Sequence, residues 1–398
     1  MFDIEDFTAV QVKEVTKGPL FHWFGYYDKQ QFDPSARFLL GMEAGFEHRQ
    51  PEPADIIRIG MVDLQDNNRW IELDKSGAWC WQAGCMLQWR PGSQSEIIWN
   101  DRVDNQFVSH ILDINSGKKR TLPFPFFTVH PDGRTALGLD FDRLNDMRPG
   151  YGYSGIQDRN MGLAAPEDAG IYLLDLEAGT SRLFISIASA ARIPHPSRDL
   201  TGCKHYFHCL LFNSSGSRFV FLHRWLPDMG RGWPFGTRMI ISDVQSGELT
   251  VLVPKGCGHF NWRDNEQLIV QEKGFFLYAD RVGQVGEVGR GVLPASGGHV
   301  SYLPGNEWLV GDTYPDEQGN QYLYLYNIRK GDIIYLGRFY SPQEYSVAPQ
   351  NGDAQWRCDL HPRISRDGSF ISIDSPHGGN GRQIYVIDIS EIIERFGS

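Results

Sequence analysis

The chain has 398 residues, of which 41% are hydrophobic and 22% charged, and this composition indicates a folded globular protein and excludes disordered or collagen-like chains. Acidic residues outnumber basic ones by 49 to 38, so the net charge of −11 disfavours nucleic acid or an anionic membrane as a general partner. Because there is no apolar stretch of the ~18 residues that span a bilayer, no secretory signal and no paired cysteine motif, we expect a cytoplasmic protein without disulfides.

One two-part sequence motif recurs along the chain. Its first part is a turn rich in Pro, Gly, Ser, Asp or Asn that leads into a hydrophobic strand, and its second part is a strand that ends in Asp or Asn. The turns begin at Asp33, Arg90, His130, Asn213, Arg263, Leu303 and Ser365. The second strands end at Asp63, Asp113, Asp175, Asp243, Asp280, Asn327 and Asp388. We interpret Asp63, Asp113, Asp175, Asp243 and Asp388 as turn formers and not as catalysts.

The copies lie roughly 50 to 55 residues apart, which is the spacing of a four-stranded blade. Each small sheet has apolar faces that only neighbouring sheets can cover, and a closed ring covers them while leaving short edges. The sequence therefore predicts an all-β, seven-bladed β-propeller that forms one domain over residues 1–398. We expect residues 7–15 to pair with the C-terminal blade and residues 390–396 to form a short helix.

Four histidines begin or precede the first strand of a late blade. They are His208, His259, His299 and His361. Because the innermost strands of all blades start at the same face of the disc, these side chains should converge on one mouth of the channel. Asp359, Arg357 and Arg363 accompany them, and the combination predicts a functional site.

These residue types support two compatible kinds of chemistry. Imidazoles and a carboxylate from separate blades are ligands for a divalent cation such as manganese, zinc or iron. His208 or His205 is a candidate general base, with Arg224, Arg357 or Arg363 binding a substrate carboxylate. Removal of the proton alpha to a uronate carboxylate requires such a division of roles: a cation or an arginine neutralises the carboxylate and stabilises the enolate, while a base takes the proton.

A second candidate cluster lies in the early blades, within Trp79-Cys-Trp-Gln, Asn100-Asp-Arg and Arg148-Pro-Gly-Tyr-Gly-Tyr. Exposed aromatic rings beside amide and guanidinium groups stack sugar rings and bind their hydroxyls. The substrate-binding candidates in these segments are Gln82, Arg102, Arg148, Tyr151 and Tyr153. Neither a P-loop nor a dinucleotide fingerprint occurs, so we expect no nucleotide cofactor. The segment 21–29 is either a site or first-blade packing, and His22 and His223 have no assigned role.

The segments His208-Cys-Leu-Leu-Phe-Asn-Ser, Gly258-His-Phe and His361-Pro-Arg-Ile-Ser resemble the oligogalacturonate lyases, a family of seven-bladed propeller polysaccharide lyases. The resemblance covers most of the chain and implies His208 as the base and His259 with His361 as metal ligands. Where that family has a further histidine this chain has Asp359, and the family's glutamine ligand falls at Trp356, with Gln355 one place away. An aspartate can replace a histidine as a ligand.

The chain resembles the propeller ulvan and rhamnose-glucuronate lyases more loosely. Gln82 and Arg102 occupy the regions of their two histidines, and Tyr151 or Tyr153 matches their tyrosine, so that centre is not expected to act as a lyase site here. The segments 24–29, 148–153 and 359–363 also resemble a bacterial branch of propellers associated with polysaccharide genes.

The sequence thus predicts an enzyme that cleaves acidic, uronate-containing oligosaccharides by β-elimination. His208 is the expected base, Arg224 or Arg363 binds the carboxylate, and a divalent metal lies near His259, Asp359 and His361. Arg357 and His299 are expected to contact the substrate. Two alternatives stay open: a glycoside hydrolase on the same propeller, which would release a saturated sugar, and a non-catalytic sugar-binding or scaffolding propeller.

Overall fold

The computed structural model describes residues 10–230, 234–295, 297–345 and 356–397, and its regular structure is almost entirely β-strand. The strands form seven four-stranded antiparallel sheets that are the blades of a ring, which confirms the predicted seven-bladed β-propeller. Whether residues 1–398 form one domain stays a prediction.

The first three blades use consecutive strands of the chain. Blade 1 contains β2 to β5, which are Phe21–Trp23, Phe38–Ala44, Ile57–Asp63 and Arg69–Ser76. Blade 2 contains β6 to β9, which are Gln88–Trp89, Glu96–Val103, Gln106–Asp113 and Lys119–Leu122. Blade 3 contains β10 to β13, which are Thr128–Val129, Thr135–Leu139, Gly170–Asp175 and Thr180–Ser186.

The next three blades follow the same order. Blade 4 contains β14 to β17, which are Lys204–Phe212, Arg218–Leu226, Gly236–Asp243 and Leu249–Val253. Blade 5 contains β18 to β21, which are Phe260–Trp262, Gln267–Gln271, Phe275–Ala279 and Gly283–Val288. Blade 6 contains β22 to β25, which are Gly297–Tyr302, Trp308–Thr313, Asn320–Asn327 and Ile333–Tyr340.

Blade 7 closes the ring with strands from both ends of the chain. It contains β26 (Arg363–Ile364), β27 (Phe370–Ser375) and β28 (Gln383–Asp388), and β1 (Val12–Glu14) pairs with β28 as its fourth strand. The predicted pairing of the N-terminal segment with the last blade is therefore confirmed from Val12 onward, while residues 7–9 of that prediction lie outside the described residues.

The helices are few and short. Helix α1 (Phe141–Met147) and helix α2 (Ile187–Ala191) lie in connections of blade 3, and helix α3 (Ser390–Gly397) is the predicted terminal helix. Within the described residues, short 3₁₀ turns occur at Pro227–Met229 and Gln343–Tyr345. No helix in the described ranges is long and apolar enough to cross a bilayer. All six cysteines carry free thiols.

The apolar core lies between the blades, and it includes the tryptophans of the early blades. The ring centroids of Trp79 and Trp81 lie 5.5 and 4.8 Å from that of Trp23, and both side chains are 2% exposed. The expectation of exposed aromatic rings in the segment 79–82 is therefore wrong: these indoles fill the space between blades 1 and 2, where burial of their large apolar surface is favourable.

Replacement of Lys13 by proline should weaken the ring closure. Val15 N–H donates to Ile384 O at 3.0 Å, and antiparallel alternation directs the Lys13 N–H toward β28 as well. Because proline has no N–H, we expect Lys13→Pro to lower the free energy of unfolding by about 1 to 3 kcal/mol in urea titrations. Lys13→Ala keeps the N–H of this exposed residue and is the control. Equal stability of the two variants would contradict the closure.

Candidate functional site at the central channel

Three of the four predicted histidines are in contact where the first strands of blades 5, 6 and 7 begin. His299 lies on β22, His259 precedes β18, and His361 lies two residues before β26. The ring centroid of His299 is 4.1 Å from that of His259 and 4.2 Å from that of His361. The blade geometry thus brings together residues that are up to about a hundred positions apart in sequence.

His299, Asp359 and His361 form the candidate metal site. Their ligand atoms all lie within 4.8 Å of one another, and all three side chains are buried. His361 Nε2 has no hydrogen-bond partner and lies 3.9 Å from Asp359 Oδ2. Two imidazoles and a carboxylate are a donor set that manganese, zinc and iron accept, so the residues present fit a divalent cation.

Asp312 of β23 fixes the orientation of this triad. Both of its carboxylate oxygens lie 3.1 Å from His299 Nδ1, and Oδ2 also accepts the backbone N–H of His361 at 3.0 Å. With Nδ1 engaged by the carboxylate, the lone pair of His299 is at Nε2, as in metal sites where a carboxylate orients a histidine ligand. His361 has a φ of +45°, and its bonded backbone N–H holds that conformation.

Burial keeps these imidazoles neutral. It lowers the pKa of His299 to about 3 and the pKa of His361 well below its usual value, because desolvation disfavours the charged ring. Burial also raises the pKa of Asp312 to about 7. A neutral imidazole retains the lone pair that metal binding requires.

Two of the predicted metal and substrate residues have other positions than expected, and a third is not described. His259, predicted as a metal ligand, lies outside the triad, and its Nε2 is 3.4 Å from Tyr314 Oη. His299, predicted as a substrate contact, belongs to the triad instead. Gln355, the other predicted ligand, lies outside the described residues.

Tyrosines from blade 1 form one wall of the site. The ring centroid of Tyr27 lies 4.9 Å from that of His299, and the ring centroid of Tyr26 lies 5.3 Å from that of His361. Gly25 permits this turn: its φ is +104°, and a Cβ there would lie 2.9 Å from the Ala83 carbonyl carbon. The segment 21–29, left open by the sequence, therefore contributes directly to the site.

His208 on β14 belongs to the blade 4 side of the channel. Its Nδ1 lies 2.8 Å from Arg224 Nη1 and 3.3 Å from Cys209 Sγ, and its ring contacts the Tyr151 ring edge-on at 4.8 Å. The strand register shifts between His208 and Leu211, and Cys209 has a φ of +54°. This bulge brings the Cys209 thiol to the same side as the His208 ring. Burial, and then the neighbouring guanidinium of Arg224, lower the pKa of His208 well below its usual value.

Arg224 and Arg148 lie side by side next to His208. Arg224 is 9% exposed and its guanidinium lies 4.4 Å from the ring centroid of Phe235, while that of Arg148 lies 4.8 Å from the same ring. No carboxylate of the described residues forms an ion pair with Arg224, and its Nε has no hydrogen-bond partner. Arg224 is therefore a buried cation without a protein counter-charge in the described part of the chain.

Two further candidate arginines, Arg363 and Arg357, are paired with carboxylates. Arg363 donates to both oxygens of Asp374, at 2.7 and 3.1 Å, and is 1% exposed. It therefore has its counter-ion within the protein, and the expectation that it binds a substrate carboxylate is not supported by this arrangement. Arg357 donates through Nε to Asp359 at 2.8 Å and through Nη2 to Tyr151 Oη at 2.8 Å, so it joins the two sides of the site.

His205, the second candidate base, lies on the opposite face of β14 from His208, since an odd number of positions separates them. Its Nδ1 lies 2.9 Å from His223 Nε2, and Arg238 Nε donates to His223 Nδ1 at 3.1 Å. Because arginine has no acceptor, His223 must donate through Nε2 to His205 Nδ1. The lone pair of His205 is thus occupied, away from the channel cluster, and His223 has a structural place in this chain.

Of the early-blade candidates, only Arg148 and Tyr151 lie beside His208. Tyr153 stacks on Phe141 at 4.2 Å and accepts a hydrogen bond from Asn100, so it belongs to the core. Gln82 donates to the backbone carbonyl of Arg357 at 3.0 Å. Arg102 donates to the carbonyls of Ser154 and Pro53 at the periphery. These last three contacts are packing contacts and not a sugar subsite.

His22 lies elsewhere. It hydrogen-bonds Gln383 and Glu43, at 3.0 and 3.1 Å, and lines a cavity of about 370 Å³ with Trp70. None of the channel histidines lines this cavity.

The comparisons with known proteins concern the fold. No protein-family model matches the chain, and no curated protein sequence matches it. The chain is similar to the structure of an oligogalacturonate lyase from Vibrio parahaemolyticus, with a TM-score of 0.65 and 12% identity over 96% of this chain and 94% of that one. It is also similar to the tricorn protease, with a TM-score of 0.52 and 10% identity over 96% of this chain and 34% of that one.

An oligogalacturonate lyase in complex with manganese has a TM-score of 0.44 and 12% identity over 97% of this chain and 94% of that one. At these identities the similarity to the first two structures establishes the propeller fold and leaves the activity to be argued from the site.

Acid should destabilise the protein through its buried histidines. Burial lowers the pKa of His205 and His377 to about 4 and that of His223 well below its usual value, whereas unfolded histidines protonate near pH 6.5. Below pH 6.5 the unfolded state therefore binds more protons than the folded state. The contribution of these histidines to the free energy of unfolding is present above that pH and is lost as the pH falls from about 6.5 to about 4. We expect urea titrations at pH 5.5 to show a loss of about 1 kcal/mol for each such histidine relative to pH 7.5.

His223→Gln should reduce this acid-dependent loss, because it removes one of the buried rings that stay neutral in the fold. An identical pH dependence in the variant and the wild type would show that His223 does not contribute.

Proposed function

We propose that this chain is a lyase that cleaves uronate-containing oligosaccharides by β-elimination. The observation that carries the proposal is the buried guanidinium of Arg224, which has no carboxylate counter-ion in the described residues and lies 2.8 Å from the Nδ1 atom of His208. A carboxylate bound there would lie directly beside a neutral imidazole.

The energetics of burial favour an anionic ligand. A buried charge whose partner is missing costs about 3 to 5 kcal/mol, and a protein retains such a group where a ligand supplies the opposite charge. Arg148, beside Arg224, increases the local positive potential. A planar guanidinium binds a carboxylate through two parallel hydrogen bonds, which suits the carboxylate of a uronate.

The same arrangement suits proton removal next to that carboxylate. Binding of the carboxylate by Arg224 withdraws electron density and makes the adjacent C–H more acidic, and the guanidinium stabilises the charge that develops on the enolate oxygens. His208, kept neutral by burial, is the base. Arg357 orients Tyr151 against the His208 ring.

A divalent cation, for which manganese, zinc or iron is suitable, would be held by His299, Asp359 and His361 and would supply further neutralisation of negative charge. Asp312 holds His299 in the orientation that this role requires. The proposal adopts an acidic oligosaccharide as the substrate class, which is also the class named by the oligogalacturonate lyase that shares the fold. A cytoplasmic location stays a prediction.

Two arginine variants separate a functional cation from a structural one. Arg224→Met fills the same space without a charge, so we expect the free energy of unfolding to stay equal or rise while β-elimination falls at least about 100-fold. Arg363→Met is the matched control: it leaves Asp374 buried without its counter-ion and should cost about 3 to 5 kcal/mol of stability. Denaturant titrations give the stability of both variants.

Activity is measured with oligogalacturonates and other uronate oligosaccharides by the ultraviolet absorbance of the unsaturated uronate, which elimination produces and hydrolysis does not. We expect His208→Ala to abolish the signal. Saturated fragments in mass spectra would indicate a hydrolase instead. Binding of the oligosaccharide without cleavage would indicate a non-catalytic propeller. Undiminished elimination in Arg224→Met would contradict the role of Arg224.

Removal of one triad ligand should weaken metal binding. We expect His361→Ala to lower the affinity for Mn²⁺ at least about tenfold in calorimetric titrations of chelator-treated protein, since one of three donors is lost. His205→Ala, on the other face of β14, is the control and should bind as the wild type does. Unchanged affinity in His361→Ala would place the cation elsewhere.

A further inference from the structure

The hydrogen bond between Arg224 and His208 fixes the proton of the imidazole. Every N–H of a guanidinium is a donor and none of its atoms accepts, so His208 Nδ1, 2.8 Å from Arg224 Nη1, must be the acceptor. A neutral imidazole with an accepting Nδ1 carries its hydrogen on Nε2. The Cys209 thiol lies 3.3 Å from the same Nδ1 atom.

As a consequence, neither ring nitrogen of His208 is ready to take a proton. Nε2 already has one, and the single lone pair of Nδ1 points at a cation. The base that the proposed reaction needs is therefore blocked in the protein without substrate, and it becomes competent only when Arg224 leaves Nδ1.

We propose that the substrate carboxylate itself performs this release: it draws Arg224 away from His208 and exposes Nδ1 as the atom that accepts the proton. This inference rests on the proposed function. A carboxylate is a better partner for a guanidinium than a neutral imidazole nitrogen, because the bond is assisted by two charges and is bidentate. Arg224 Nε, which has no partner, is available for the second of the two bonds.

The geometry also selects the bond that is broken. Since Arg224 reaches both Nδ1 and the carboxylate, Nδ1 lies beside the carbon that carries the carboxylate. The proton of that carbon moves to Nδ1, the C–H electron pair becomes the carbon–carbon double bond, and the neighbouring C–O bond breaks with its pair on the leaving oxygen. The imidazolium, disfavoured beside Arg224 and Arg148, returns the proton to that oxygen, so no proton is gained or lost overall.

This device makes the negative charge of the substrate a requirement for chemistry as well as for binding. A methyl-esterified uronate is uncharged and cannot compete for Arg224. It should therefore lose kcat in addition to any increase in KM, whereas a carboxylate needed for binding alone would change KM only.

The test is ¹⁵N NMR of the imidazole in histidine-labelled protein, with the His208 signals assigned by their loss in His208→Gln. In the free protein we expect the Nε2–H form with a hydrogen-bonded Nδ1. Saturation with galacturonate, a monomer with no leaving group to eliminate, should move the Nδ1 resonance downfield as its hydrogen bond is lost. Galactose, the same ring without the carboxylate, should leave it unchanged. In Arg224→Met the Nδ1 resonance should begin in the downfield position and not respond.

The outcomes separate this inference from the proposed function. The release mechanism would be overturned if the free protein had the Nδ1–H form. It would also be overturned if the Nδ1 resonance did not move while calorimetry showed bound galacturonate. If elimination were measured in parallel, the lyase assignment would still stand. Absence of both galacturonate binding and elimination would overturn both. A carboxylate-dependent Nδ1 shift that is lost in Arg224→Met would establish the mechanism.

Discussion

The pairing of β1 with β28 is the constraint on which the rest of the structure depends. It joins the two ends of the chain in blade 7 and closes the ring, so that the first strands of all blades are held around one channel. Polar side chains at the start of these strands lose contact with bulk water and must bind one another or a ligand. The carboxylate of Asp312 illustrates this, because it contacts both His299 Nδ1 and the backbone N–H of His361.

Among the described residues, Arg224 differs from Arg357 and Arg363 in its charge partners. Arg357 is matched by Asp359 and Arg363 by Asp374, both at hydrogen-bond distance. Arg224 instead contacts a neutral imidazole. A sequence selected for stability alone would place an apolar side chain there, since exchange of a buried charge for a hydrophobic one is commonly neutral or favourable. The buried guanidinium of Arg224 is therefore the feature on which the proposed carboxylate-binding role rests.

The sequence predicted the features that depend on local, repeated motifs. It missed contacts between residues that are far apart in the chain and meet only in the folded ring. The blade count followed from turn residues and from the aspartate or asparagine that ends a strand in each copy, and the channel histidines from their equivalent blade positions. Asp312 and Tyr314 were missed because they come from a second strand and the loop after it, which reach the channel only in the folded ring, whereas Tyr26 and Tyr27 lie in the segment 21–29 that the sequence left open. Arg224 and Arg363 were equivalent candidates in sequence. Only the position of Asp374, a neighbour in the fold, distinguishes them.

The two halves of the site are coupled through a single guanidinium. Arg357 binds Asp359 of the candidate metal triad and also the hydroxyl of Tyr151, whose ring packs edge-on against His208. A cation bound by Asp359 would share that carboxylate with Arg357. The candidate metal triad and His208, which lie on different blades, are thus joined by direct contacts through Arg357 and Tyr151.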